Sequence, residues 1–147
     1  MCFDETTKRS KVSALQSEEP ARRRYRKDYF ATKETVEIAD YFGVESGSKV
    51  NKIEKAGCHV HKSAHVNAPI IEEFPVTLEC ECVSYSDETG ILVGKIIAQQ
   101  ADEKVLTDGV VDYDKLQPII FDIATKTYRL VGPVVGKAFH DGLKLKD

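Results

Sequence analysis

The side chains best suited to binding a metal ion are concentrated between residues 58 and 82 of the chain. Thiolates and imidazoles are the ligands that zinc prefers, and this stretch supplies Cys58, His59, His61, His65, Cys80 and Cys82. The spacing argues against zinc, because neither the histidine pair nor the Cys80–Cys82 pair has the wider gap of a knuckle-type site. A zinc-binding β-barrel is therefore one interpretation, with buried apolar cysteines as the other.

A second group of polar side chains suits an anion. Ser46, Gly47, Lys49 and Lys52 follow a predicted helix in the run SGSKVNK. Backbone N–H groups at a helix start can bind a phosphate, and nearby hydroxyl and ammonium groups would add to that site. The same residues also fit an ordinary serine cap on a surface helix, and the spacing alone does not separate the two.

No other motif indicates catalysis. The chain has no glycine-rich nucleotide loop, nucleophile elbow or HExxH zinc motif. The paired carboxylates Glu72/Glu73 and Glu79/Glu81 look like solvated faces. The second pair belongs to a strand in which Val76, Leu78, Cys80 and Cys82 alternate with polar residues. This period of two predicts that Thr77, Glu79 and Glu81 face solvent and do not form an acid–base pair.

That strand is half of the hairpin on which we expect the chain to be built. Residues 86–90 (SDETG) predict a turn that ends in a glycine with positive φ. The returning stretch, residues 91–98, is apolar on both faces, which is typical of a strand inside a covered sheet. The other predicted elements are a helix over 32–41, a strand over 57–62, a turn over 106–109, a helical turn over 113–118, a strand over 127–131 and a tail over 134–145 that lies on the barrel. These elements predict a mostly β fold, a small barrel with short helical insertions.

Charge and hydropathy exclude some partners. Residues 1–30 carry eight Lys/Arg and five Asp/Glu, whereas the remainder carries 13 and 19. The acidic remainder argues against nucleic acid as a partner, and the basic cluster at 22–27 is either a phosphate-binding patch or a solvated tail. No apolar run is long enough to span a membrane and no secretory signal opens the chain, so we expect a cytoplasmic protein with free thiols.

The order of these segments resembles one known family. The matching runs are ETVEIADYFG, SGSKVNKIEKAG, HVNAPIIEEFPVTLECECVS, ETGILVGKI, the Leu116-Gln-Pro-Ile turn, and YRLVG followed by VGKAFHDGLK. Together they resemble the flavin reductase family, flavoredoxin-like proteins with the FMN-binding split-barrel fold.

The resemblance implies a Greek-key split-barrel domain over residues 31–147 and a homodimer that holds FMN noncovalently. In such proteins electrons pass from NAD(P)H or another reductant through the flavin, which carries out the redox chemistry itself. The resemblance assigns no catalytic side chain and no metal. It suggests Ser46, Gly47, Lys49 and Lys52 as cofactor-binding residues, because the equivalent loop of relatives approaches the flavin phosphate or the barrel mouth.

Residues 1–30 do not match the first barrel strands of the family. We expect them to form a poorly structured basic leader, so that the barrel is incomplete at its N-terminus and binds FMN weakly. A non-catalytic remnant that acts only through protein interactions is the alternative from another functional class.

Overall fold

The computed structural model describes residues 25–86 and 88–146. Within these ranges the strands are β1 (Tyr25–Tyr29), β2 (Val60–Lys62), β3 (Pro69–Ile71), β4 (Val76–Tyr85), β5 (Leu92–Ala101), β6 (Leu106–Thr107), β7 (Val110–Val111), β8 (Ile119–Asp122) and β9 (Thr127–Leu130). The helices are α1 (Val36–Val44), α2 (Lys52–Lys55) and α3 (Tyr113–Leu116), with 3₁₀ turns at Glu103–Val105 and Asp141–Leu145. None of the described helices is long and apolar enough to cross a membrane.

The largest sheet has three antiparallel strands in the order β1-β4-β5. Lys27 of β1 lies opposite Glu79 of β4, which in turn lies opposite Ala98 of β5. Two irregularities, after Glu79 and after Cys82, interrupt the β4–β5 register and bend this hairpin. The pairs β2–β3, β6–β7 and β8–β9 form separate two-stranded ribbons.

The main core lies between the helices and the start of the sheet. Its buried side chains include Ala39, Phe42, Ile53, Ile71 and Phe74, and Tyr29 of β1 packs against them. The Phe74 ring is 5.1 Å from that of Tyr29 and 6.4 Å from that of Phe42, centroid to centroid. One ring thus joins the sheet to α1.

The predicted helix over 32–41 forms further along the chain. Thr32 and Thr35 hydrogen-bond each other first, with the Thr32 N–H donating to Thr35 Oγ1 at 2.8 Å. The helix α1 then runs from Val36 to Val44. The threonine pair holds the chain in a turn before the helix begins. The helix therefore begins four residues later than predicted.

The sequence prediction for β4 was wrong at two positions. Thr77 and Glu79 are buried, at 2% and 0% exposure. They share a sheet face with their β1 partners Tyr29 and Lys27. On that face the Ser63 hydroxyl donates to Glu79, and the Tyr29 hydroxyl donates to the Pro69 carbonyl. The start of β4 is therefore buried on both faces, so the alternation of residue types does not report solvent exposure there.

The predictions for β5 and the tail were also wrong. We expected residues 91–98 inside a covered sheet, yet most of β5 is exposed, since in the described chain the sheet ends with this strand. The tail does not lie on the barrel either, because residues 132–146 are all exposed. These segments are apolar, but residues 25–86 and 88–146 do not cover them.

Several local predictions were confirmed. Gly90 ends the hairpin turn with φ 69°, α3 forms the single helical turn, and β9 occupies the predicted strand.

The segment 1–30 was expected to be a poorly structured leader. Its residues 1–24 lie outside the described residues, while Tyr25–Tyr29 is a strand. Lys27, expected in an exposed basic cluster, has a side chain that is only 3% exposed.

Candidate functional site

The serine turn, residues 46–49, follows α1 directly. The N–H of Glu45 closes the helix on the Tyr41 carbonyl, and the chain then reverses so that the Lys49 N–H donates to the Ser46 carbonyl at 3.0 Å. The hydroxyls of Ser46 and Ser48 lie 2.8 Å apart, and Ser48 and Lys49 are exposed. The turn therefore gathers two hydroxyls and one ammonium at the surface.

A carboxylate already occupies part of this turn. Glu45 Oε1 accepts the Ser46 N–H at 2.8 Å. An anion that used the same N–H would have to displace this carboxylate, and the two negative charges would repel each other. Glu45 therefore lowers the affinity of the turn for anions.

Lys52 does not belong to the surface of the turn. Its residue is 2% exposed, and Nζ donates to the Phe42 carbonyl at 2.6 Å. Asn51 caps α2 through its side chain, which places Lys52 at the first helical position, facing the end of α1. The last carbonyls of a helix lack intrahelical partners, so this ammonium stabilises the helix end.

The structure thus brings together three of the four predicted cofactor-binding residues, namely Ser46, Gly47 and Lys49. Their hydroxyls, backbone and ammonium are a donor set that fits a phosphate such as that of FMN, with Glu45 as the opposing charge. Phosphate binding by these residues stays a prediction.

A buried charge network in the main sheet was missed by the sequence reasoning. Glu79 accepts a hydrogen bond from the Ser63 hydroxyl and one from Gln100 Nε2 at 2.9 Å. Lys27 Nζ lies 3.5 Å from Glu79 Oε2 and makes no hydrogen bond among the described residues. Burial lowers the pKa of Lys27, and the Glu79 charge opposes that shift. Only the β1–β4 register reveals this pair, because 51 residues of chain separate the two side chains.

The candidate metal ligands do not assemble. Each of two histidines pairs with a glutamate: His59 Nδ1 is 2.9 Å from Glu73 Oε1, and His61 Nδ1 is 3.1 Å from Glu72 Oε1. In residues 25–86 and 88–146 no group of three or more His, Cys, Asp or Glu side chains is arranged to hold a metal ion. The zinc-binding alternative gains no support from this geometry.

Cys58 lies beside the His59–Glu73 pair. Burial, together with the Glu73 charge, raises the pKa of the Cys58 thiol to about 11. The thiolate is the nucleophilic form of cysteine, so Cys58 is protonated and unreactive at neutral pH.

The raised pKa predicts a loss of stability in alkali. A group whose pKa is higher in the folded state stabilises the fold below its ordinary pKa, and that contribution is lost as the pH rises through the folded value. We expect the unfolding free energy to fall from about pH 9 to about pH 11. The fall should be smaller in Cys58→Ala, measured by urea unfolding at each pH. An identical pH slope in both proteins would contradict the assignment to Cys58.

Comparison with known proteins places these residues in a family context. Residues 30–118 match the family model of the flavin reductase like domain. Flavoredoxin of Desulfovibrio vulgaris (Miyazaki F) is 30% identical with a TM-score of 0.75, over 82% of this chain and 66% of that one. A protein from Aquifex aeolicus (strain VF5) is 31% identical over 80 residues, which are 52% of this chain and 41% of that protein. The chain thus spans less than two thirds of the length of either relative.

More distant structures show the same fold. An FMN-binding domain of a flavin reductases-like enzyme from Shewanella baltica OS155 has a TM-score of 0.66 at 16% identity, over 77% of this chain and 63% of that one. A flavin reductase with a split barrel domain from Shewanella frigidimarina NCIMB 400 has a TM-score of 0.63 at 16% identity, over 78% and 60%. The predicted mostly β split-barrel fold is confirmed.

Proposed function

Since the chain belongs to the flavin reductase-like family, we propose that it is an FMN-binding oxidoreductase that passes electrons from NAD(P)H or another reductant through the flavin. The observation that carries the proposal is the family match over residues 30–118, which includes the serine turn and β4. FMN, when bound, supplies the hydride and electron chemistry, and the protein supplies binding and electrostatics.

In this proposal the serine turn binds the FMN phosphate. The Ser46 and Ser48 hydroxyls donate to phosphate oxygens, Gly47 lets the backbone approach closely, and Lys49 adds a positive charge. Lys52 supports the turn indirectly, because its ammonium stabilises the end of α1, from which the turn follows. The turn orients the phosphate and so determines on which side of the barrel the ring lies.

We also propose that the protein is a cytoplasmic homodimer. The exposed faces of β5 and of the tail support the dimer, because large apolar surfaces of this kind are usually covered by a partner. The unoxidised thiols of Cys58 and Cys82 are consistent with a reducing compartment.

Titration of the protein with FMN, followed by flavin fluorescence, tests the cofactor assignment. We expect saturable binding that Lys49→Ala weakens and Glu45→Gln tightens. Each substitution should change the FMN dissociation constant by no more than about fivefold, because exposed charge interactions contribute about 0–1 kcal/mol. Lys62→Ala, which removes an exposed lysine from β2, should leave the affinity unchanged.

The electron donor is tested on the FMN-loaded protein. Anaerobic addition of NADH or NADPH should bleach the flavin if either nucleotide is the donor. A chain that binds no FMN would instead support the non-catalytic interaction protein. A loaded chain that neither nucleotide nor dithionite reduces would contradict the oxidoreductase proposal directly.

A further inference from the structure

The C-terminal arm, residues 132–146, leaves the body of the molecule after β9. The Val131 N–H donates to the Pro118 carbonyl at 3.1 Å. Beyond it every residue of the arm is exposed, and the hydrogen bonds that the arm makes with described residues stay within the arm. Several of these exposed side chains are apolar, namely Val134, Val135, Phe139, Leu143 and Leu145.

The arm nevertheless has a defined local structure. Asp141 Oδ2 accepts the Lys137 N–H at 2.7 Å, and Asp141 Oδ1 lies 3.0 Å from His140 Nδ1. The Asp141 N–H donates back to the Lys137 carbonyl at 3.1 Å. These bonds close a tight turn that presents the side chain of Phe139 at its tip.

Phe139 is in an unfavourable state in the single chain. Its φ is 59°, in the left-handed region that a bulky residue rarely adopts, and its exposure is 101%. Strained backbone of this kind persists only where surrounding structure holds it. A fully solvated aromatic ring also forgoes the free energy that burial would supply. The hydrogen bonds of the turn hold the strained backbone, whereas no part of the described chain covers the ring. The ring is therefore available for burial against another molecule.

The same chain exposes a second apolar surface. The hairpin patch is the edge of the sheet at β5, where exposed apolar side chains lie on both faces, namely Val83, Ile91, Val93, Ile96 and Ile97. Because β5 is an edge of the described sheet, its backbone also has unused hydrogen-bonding groups on one side. The patch therefore offers apolar area and backbone donors and acceptors to an extended segment.

Charge and symmetry favour a second copy of this chain as the partner. The arm carries Lys137, Lys144 and Lys146 against one described carboxylate, Asp141, whereas Glu81 and Glu88 flank the patch with Lys95 as the opposing charge. A two-fold arrangement would also cover both arms and both patches at once, with two equivalent contacts.

We propose that the arm of one subunit lies across the hairpin patch of a second copy, with Phe139 as its buried anchor. This inference rests on the homodimer proposed above and adds its contact surface. The turn closed by Asp141 then serves to aim the Phe139 side chain at the partner.

The test compares dimer dissociation by analytical ultracentrifugation. Phe139→Ser and a chain ending at Gly132 should each raise the dissociation constant at least tenfold. Val44→Ser, which removes another exposed valine outside the arm and the patch, should change it less than twofold. Circular dichroism should be unchanged in Phe139→Ser, because this side chain is fully exposed in the described part of the chain. Wild-type affinity in both arm variants would overturn the arm contact while leaving the dimer standing, whereas a monomeric wild-type protein would remove the dimer itself.

A second measurement locates the contact. Chains carrying Phe139→Cys are mixed with chains carrying Ile96→Cys under mild oxidation. A disulfide between the two kinds of chain is expected. Val44→Cys in place of Phe139→Cys serves as the control for random pairing, and equal yields from the two mixtures would overturn the proposed placement.

Discussion

Glu79→Gln is expected to lower the unfolding free energy by about 3–5 kcal/mol, although it replaces one oxygen with a nitrogen and changes little in volume. The carboxylate is fully buried and lies beside the buried ammonium of Lys27. Removing one partner of a buried ion pair leaves the other charge uncompensated where water cannot reach it. The Gln100 and Ser63 hydrogen bonds do not replace this charge.

The double variant Lys27→Met/Glu79→Gln separates charge from packing. It removes both charges, so it should recover most of the stability lost in Glu79→Gln, as measured by urea unfolding. Glu81→Gln lies two residues along the same strand but is exposed, and it should change stability by less than about 0.5 kcal/mol. If the double variant is no more stable than Glu79→Gln, the loss comes from the hydrogen bonds and not from the ion pair.

The pH dependence of Glu79→Gln gives an independent signature. Burial already lowers the pKa of Lys27, and the Glu79 charge, which opposes this, is absent in the variant. Between the lowered folded pKa and the ordinary lysine value the unfolded chain binds more protons, so stability rises with pH in that window. The difference in unfolding free energy between wild type and Glu79→Gln should therefore become smaller as the pH approaches the ordinary lysine pKa.

Phe74→Ala is expected to cost about 3–5 kcal/mol, the usual range for removing a buried phenylalanine. Phe74 is 5% exposed, and its ring contacts both Tyr29 of β1 and Phe42 of α1. The cavity would open where the sheet meets the helix that leads into the serine turn. The loss should therefore appear in chemical unfolding and also as weaker FMN binding.

Two further variants calibrate this result. Phe74→Leu keeps most of the apolar volume and should cost less than about 1.5 kcal/mol. Phe121→Ala removes a ring that packs on Tyr128 but is 44% exposed, so its cost should be well below that of Phe74→Ala. Equal losses at Phe74 and Phe121 would show that this core does not join the sheet to α1.

Local residue chemistry was enough to predict much of the fold. Turn residues, caps and apolar runs act within a few positions of each other, so the hairpin turn at Gly90, the helical turn α3 and the strand β9 could be inferred directly. The ordered set of such segments also carried the resemblance that identified the family. The composition of the serine turn predicted that Ser46, Gly47 and Lys49 would lie together, since four consecutive positions cannot separate far.

Burial could not be inferred in the same way, because it depends on which distant segment covers a face. Glu79 was expected in solvent from its alternation with Leu78 and Cys80. It is instead buried, with Ser63, Gln100 and Lys27 of β1 lying against its carboxylate. Lys52 was expected at a phosphate, yet the end of α1 accepts its ammonium. Conversely, β5 and the arm are apolar enough for a core, but the described part of the chain leaves them exposed. Sequence determines which surfaces are apolar or charged, whereas only the tertiary arrangement decides whether the chain itself covers them.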